Sequence, residues 1–132
     1  MIIDDIKEYW VWCLRDDAEK FVISRETISD EDYAKHWGKF LVFGDAQYLA
    51  DTAYKVNCYI DEGLIDSAKY NRSPASALGK RDCVMCVYSD DRDAGEVWKL
   101  LAEIGITKRI WKYDSQTIKD WSPGGKFERL VG

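Results

Sequence analysis

The spacing of apolar positions changes several times along the chain, and each change marks an element. In Tyr9-Trp10-Val11-Trp12-Cys13-Leu14-Arg15 the pattern alternates, which predicts a strand with Trp10, Trp12 and Leu14 on one face. Asp16-Asp17-Ala18-Glu19 reads as a turn, and Lys20-Phe21-Val22-Ile23-Ser24 as a second short strand closing a hairpin. Ile2 to Glu8 is read as one helical turn leading in. Ser29-Asp30-Glu31-Asp32 has a serine cap with an acid three residues on, a helix-start signal. The short helix it predicts runs to about Trp37 and stops at Gly38. Lys39 then opens Phe40-Leu41-Val42-Phe43, an unbroken apolar run expected as a strand buried on both faces.

From Ala46 to Glu62 the spacing lengthens. Leu49, Ala53, Val56, Tyr59 and Ile60 recur at three- and four-residue steps, predicting a long amphipathic helix closed by Gly63. Leu64 to Tyr70 is expected to return as a strand carrying Lys69, and Asn71 to Gly79 is loop-like. Cys83 to Tyr88 is the most strand-like run of the chain. Asp93 to Ile104 predicts a second amphipathic helix, with Val97, Leu100, Leu101 and Ile104 inward and Gly105 as its stop. Arg109 to Tyr113 is a last strand, and Ser115 to Trp121 a turn of helix. The fold class is therefore α+β: a mainly antiparallel sheet of about five or six strands with two main helices on one face.

Length and charge narrow the function. At 132 residues the chain is expected to be a single domain, 1–132, with a core that needs no metal or disulfide. Its net charge of −5 argues against duplex nucleic acid as a partner. No run is long and apolar enough to span a membrane, and the first residues lack a basic stretch before an apolar one. The expectation is a cytoplasmic protein without a membrane partner.

Cys83-x-x-Cys86 has the spacing of half a zinc site. On a strand, however, residues three apart point to opposite faces, and neither a second pair nor a nearby histidine completes a tetrahedral set. The four cysteines are read as free thiols, with no metal and no cofactor expected. None of the glycine–lysine pairs at 38–39, 79–80 and 125–126 has the spacer and following Ser or Thr of a P-loop.

Candidate chemistry lies in the cations that fall on strands or at their ends: Lys20, Lys39, Lys69, Arg81 and Lys112, with Arg72 and Lys80 in the adjoining loop. On adjacent strands several of these would converge, and a cluster of cations persists best around a bound anion, for which phosphate is the natural choice. The competing reading leaves each cation solvated and paired with some of the 24 acids. Trp37 and Trp121, beside glycines and loops, are candidates for an aromatic slot that stacks a base. His36, the one histidine, is a candidate acid–base residue or a helix cap.

The order of Gly38-Lys39-Phe40 before a strand, a long helix, Ala68-Lys69 before a loop with Ser73-Pro74, and then Val84-Met85-Cys86-Val87-Tyr88-Ser89-Asp90-Asp91 resembles the basophilic-leukaemia-expressed protein family. That resemblance spans roughly residues 9 to 115 and implies the curved sheet of the cap-binding translation initiation factor, with no established activity. A second resemblance is to the phosphothreonine lyases of bacterial pathogens, because Lys20-Phe21-Val22-Ile23-Ser24 is similar to their Lys-Phe-His-Ile-Ser segment. It implies β-elimination with Lys39 as the base and Lys20 and Arg81 on the phosphate. Their histidine position is Val22 here, so His36 would have to assist from elsewhere, and loss of such help typically costs about 10²–10⁴-fold in rate. The resulting expectation is a lyase-like protein that binds a phosphorylated ligand, a peptide or a nucleotide type, in a basic pocket. The alternatives are a nucleotide- or RNA-cap-binding module and a non-catalytic interaction domain.

Overall fold

A computed structural model describes residues 1–5, 7–15, 31, 35–73 and 82–115. Among these residues six strands form one sheet: β1 (Ile2–Ile3), β2 (Trp10–Cys13), β3 (Trp37–Gly44), β4 (Ser67–Asn71), β5 (Cys83–Asp90) and β6 (Trp111–Tyr113). Their order is β1-β2-β4-β5-β3-β6, and every neighbouring pair is antiparallel. Two helices, α1 (Ala46–Asp61) and α2 (Ala94–Glu103), follow β3 and β5. The α+β class and the two helices expected from the spacing are what the chain forms.

Alternation sorts the strand residues onto two faces. The near face, toward the helices, carries Val11 and Cys13 from β2, Phe40 and Val42 from β3, Ala68 and Tyr70 from β4, and Cys83, Met85 and Val87 from β5. Against it α1 buries Leu49, Ala53, Val56 and Ile60, and α2 buries Ala94, Val97 and Leu101. Each large side chain so buried contributes roughly 1.5–3 kcal/mol relative to leaving it in water, so this face supplies most of the stability.

The helix ends follow local chemistry. Asp45 caps α1 by accepting the Tyr48 N–H at 2.7 Å. Gly63 and Gly105 adopt φ of +78° and +97°, the left-handed geometry that stops a helix and favours glycine. Beyond Gly105 the Ile106 N–H returns to the Leu101 carbonyl, and the Gly105 N–H to Ala102.

Four expectations change. Ile2 to Glu8 does not begin as a helical turn: Ile2 and Ile3 pair with Cys13 and Trp12 as an edge strand. Gly38 is no helix stop but the second residue of β3, and a side chain there would collide with the Trp111 ring and the Lys112 carbonyl. Leu64 is not in a strand, because after Gly63 both the Leu64 and Ile65 N–H groups bond to the Tyr59 carbonyl and delay β4 to Ser67. Phe43 is 43% exposed rather than buried, since β6 pairs with β3 only from Gly38 to Phe40. The predicted hairpin strand from Lys20 to Ser24, the body of the short helix before Trp37 and the turn of helix ending at Trp121 lie outside the described residues.

Candidate functional site

The far face of the sheet, turned from the helices, is set by the strand registers. One row runs Trp12, Lys69, Cys86, Leu41 across β2, β4, β5 and β3. The next runs Ser67, Tyr88, Lys39, Lys112 across β4, β5, β3 and β6. Trp37, Cys86 and Tyr88 form a second buried apolar cluster here, with Trp12 and Leu41 packed against it. Three of the predicted cations, Lys39, Lys69 and Lys112, therefore reach one face from three strands.

Lys39 is 8% exposed, and its Nζ donates to the Asp114 carboxylate at 2.7 Å. Burying an ammonium is costly without such a partner, so the pair behaves as one unit. Lys69 is held differently. Its Nζ lies 4.2 Å from the Trp10 ring centre, 5.0 Å from that of Trp12 and 5.9 Å from that of Tyr88. Among the described residues no carboxylate lies at ion-pairing distance from it. Burial pushes the Lys69 ammonium below the usual lysine value; Cys86 pulls it back up, Lys39 pushes it further down, and Asp114 raises it. The Cys86 thiol is pushed up by burial, while Lys39 and Lys69 draw it down. These mutual effects place Lys39, Lys69, Cys86 and Asp114 in one electrostatic group.

The other predicted residues go elsewhere. His36 donates or accepts at Nδ1 with the Asp91 carboxylate at 2.9 Å, and Tyr113 donates its hydroxyl to the other oxygen of Asp91 at 2.8 Å. Tyr113 packs edge-on against Trp111, which itself meets Phe40 in the near-face core. His36 is thus bound at the helix side of the sheet end and does not join Lys39. Arg72 ties the end of β4 to the Glu8 carbonyl at 3.0 Å and pairs with Asp4, a structural brace apart from the lysines. Trp37 does face the lysine group: its ring lies nearly parallel to Tyr88, at 7° and 6.3 Å between centres. Lys20, Lys80, Arg81 and Trp121 lie outside the described residues.

Two further arrangements bear on chemistry. His36, Asp90 and Asp91 bring potential metal-ligand atoms within 4.8 Å of one another. Each is already engaged, since Arg92 holds Asp90 and Asp91 holds both His36 and Tyr113. The Arg92 hydrogen bond holds the Asp90 carboxyl down at about 2, against the opposing effect of burial. Beside them a cavity of about 400 Å³ opens at the sheet end, lined in part by Trp37, Leu64, Asp66, Asp90, Asp93 and Glu96. Its acids make it a poor host for phosphate.

Cys83 and Cys86 fall on opposite faces, the first in the near core and the second among the lysines, as a strand requires. All four cysteines are free. Sequence reasoning missed Trp10, Trp12 and Tyr88 as the surroundings of Lys69, and Asp114 as the partner of Lys39. Part of the signal was present: Trp10 and Trp12 share a face by alternation, and Asp114 lies two residues beyond Lys112.

No protein-family model matches the sequence. No curated protein matches it either.

Proposed function

We propose that the far face binds a phosphorylated ligand, with Lys39, Lys69 and Lys112 as its cations and Trp10, Trp12, Trp37 and Tyr88 as its apolar surroundings. The observation that carries this reading is the placing of lysines from β3, β4 and β6 on one face of the sheet, where Lys39 is held by the Asp114 carboxylate and Lys69 lies within its electrostatic reach. Buried cations repel one another unless an anion offsets them, and Asp114 marks a place where the fold already accommodates one. A phosphate brings more negative charge than a carboxylate and more acceptor oxygens, so it suits a group of ammonium donors.

The lyase-like outline is weaker than the binding one. Lys39, the expected base, is ion-paired, whereas Lys69 has, among the described residues, no carboxylate at pairing distance and a lowered affinity for its proton, so it is the better-suited base. His36 is engaged with Asp91 and supplies no acid at the lysine group. Binding without turnover is the form of the reading that the geometry supports best. A nucleotide is the second reading, favoured by the parallel rings of Trp37 and Tyr88 beside Lys39.

Thermal shift with a phosphothreonine peptide, its unphosphorylated twin and a methylated-guanosine cap nucleotide separates these. A ligand at about 100 times its dissociation constant adds about 2.7 kcal/mol, a shift of several degrees for a domain of this size. A shift with the phosphopeptide and none with its twin supports phosphate binding. A shift with the nucleotide alone moves the function to a cap- or nucleotide-binding module. No shift with either phosphorylated ligand overturns the reading.

A further inference from the structure

The lysines of the far face are not equivalent, and the difference points beyond charge. Lys39 gives one of its three ammonium donors to Asp114, at 2.7 Å. Lys69 stands on the neighbouring row with π faces on its flanks, Trp10 at 4.2 Å and Trp12 at 5.0 Å, and a second lysine within electrostatic reach. Aromatic faces attract a cation, yet they give it no hydrogen-bond acceptor comparable with a carboxylate. An amine that is half-buried among aromatic rings, beside another cation and with no carboxylate at pairing distance among the described residues has the surroundings that make lysine a nucleophile rather than a permanent charge.

We propose that Lys69 forms a Schiff base with a phosphorylated aldehyde or ketone, its phosphate held by Lys39, the cation within electrostatic reach on the same face. This deepens the phosphate-binding reading and rests on it. The step is balanced without an oxidant or a metal. The neutral Nζ attacks the carbonyl carbon, the C=O π pair goes to oxygen, and a proton shift gives a neutral carbinolamine. Loss of that hydroxyl as water leaves the C=N bond, so one amine and one carbonyl give one imine and one water. Lowered proton affinity raises the share of neutral amine near neutral pH, which is the form that attacks. Trp10, Trp12 and Tyr88 would pack against the carbonyl compound's apolar body.

Pyridoxal 5′-phosphate, pyridoxal and pyridoxine 5′-phosphate supply both groups, the carbonyl alone and the phosphate alone. The full chain is treated with each aldehyde, reduced with borohydride and mapped by peptide mass spectrometry, using exposed Lys55 and Lys99 as internal references. The expected result is an adduct on Lys69 faster than on those two lysines with pyridoxal 5′-phosphate, by about tenfold for each unit by which its proton affinity is lowered. Pyridoxine 5′-phosphate should slow that labelling, and pyridoxal should show no such preference. Lys69→Arg, which cannot form the imine, should lose the adduct while Lys55 and Lys99 are labelled as in the wild type. Labelling of wild type in proportion to exposure overturns the proposal. If pyridoxine 5′-phosphate binds at the lysines but Lys69 takes no adduct, the nucleophile falls and phosphate binding stands. If pyridoxal labels Lys69 as fast as its phosphate ester and pyridoxine 5′-phosphate does not protect, the phosphate reading falls and the proposal as stated falls with it.

Discussion

On the near face, Val11, Phe40, Val42, Met85 and Val87 meet Leu49, Val56 and Leu101, and every contact is apolar. One residue along the same strands, the far face carries Trp12, Lys69, Cys86 and Leu41, and beside them Tyr88, Lys39 and Lys112. The near face has a complete partner in its two helices. The far face holds a buried cation, Lys39, paired with Asp114, and the half-buried Lys69 and Lys112 beside it. A single sheet thus separates two environments by alternation: apolar burial against the helices on one side, and on the other a costlier arrangement of aromatics and amines, of a kind that hydrophobic replacement often matches in stability.

The comparison breaks most visibly on the near side. Leu101→Ala should cost about 2–5 kcal/mol by urea unfolding, from lost burial and the cavity left behind. The folded fraction of that variant should bind a phosphorylated ligand as before, because Leu101 faces away from the lysines.

On the far side the largest effect is expected at Asp114. Asp114→Asn leaves Lys39 buried without its charge partner and should cost about 3 kcal/mol in a buffer free of multivalent anions. Added phosphate should return part of that loss, while chloride at equal ionic strength should not. The double change Lys39→Met with Asp114→Leu, which removes both charges, should be much less damaging than Asp114→Asn alone. Equal destabilisation of both variants would show that Asp114 matters for packing and not as an anion.

Asp45→Ala removes the α1 cap and should cost about 1 kcal/mol by the same unfolding measurement, with no change in ligand binding. The smallest effect concerns the sheet end. Asp90 has its folded pKa lowered from 3.8 to about 2 by the hydrogen bond from Arg92, so the unfolded chain binds the proton more readily. Its contribution is present above 3.8 and is lost as the pH falls through about 2. Arg92 is largely exposed, so solvent screening keeps the contribution small. Arg92→Ala should flatten this part of the acid limb of the stability curve.

How much of this was legible depended on distance along the chain. The helices were plain because their spacing is local and Gly63 and Gly105 end them within a few residues. The parity of each strand was equally local, so the placing of Cys83 and Cys86 on opposite faces could be read at once. The order β1-β2-β4-β5-β3-β6 could not, because it is fixed by pairings such as Trp12 with Lys69 and Lys69 with Cys86 that join distant segments. The same holds for the site. Lys39, Lys69 and Lys112 were identifiable as strand cations, but only the registers bring them to one face. Arg72 and His36 looked similar in sequence, yet Asp4 and Asp91, each far away along the chain, take them out of the group.

Tryptophan side chains allow the division between the faces to be read in one experiment. Trp10, Trp12 and Trp37 lie on the far face, while Trp98 and Trp111 pack against the near-face core. Indole N–H signals can be followed by nitrogen–proton correlation spectra while a phosphothreonine peptide is added, with its unphosphorylated twin as reference. The expected result is saturable movement of the Trp10, Trp12 and Trp37 signals with the phosphopeptide only, with those of Trp98 and Trp111 nearly still. Signals that stay in place throughout, or that move first at Trp98 and Trp111, would contradict a ligand site on the far face.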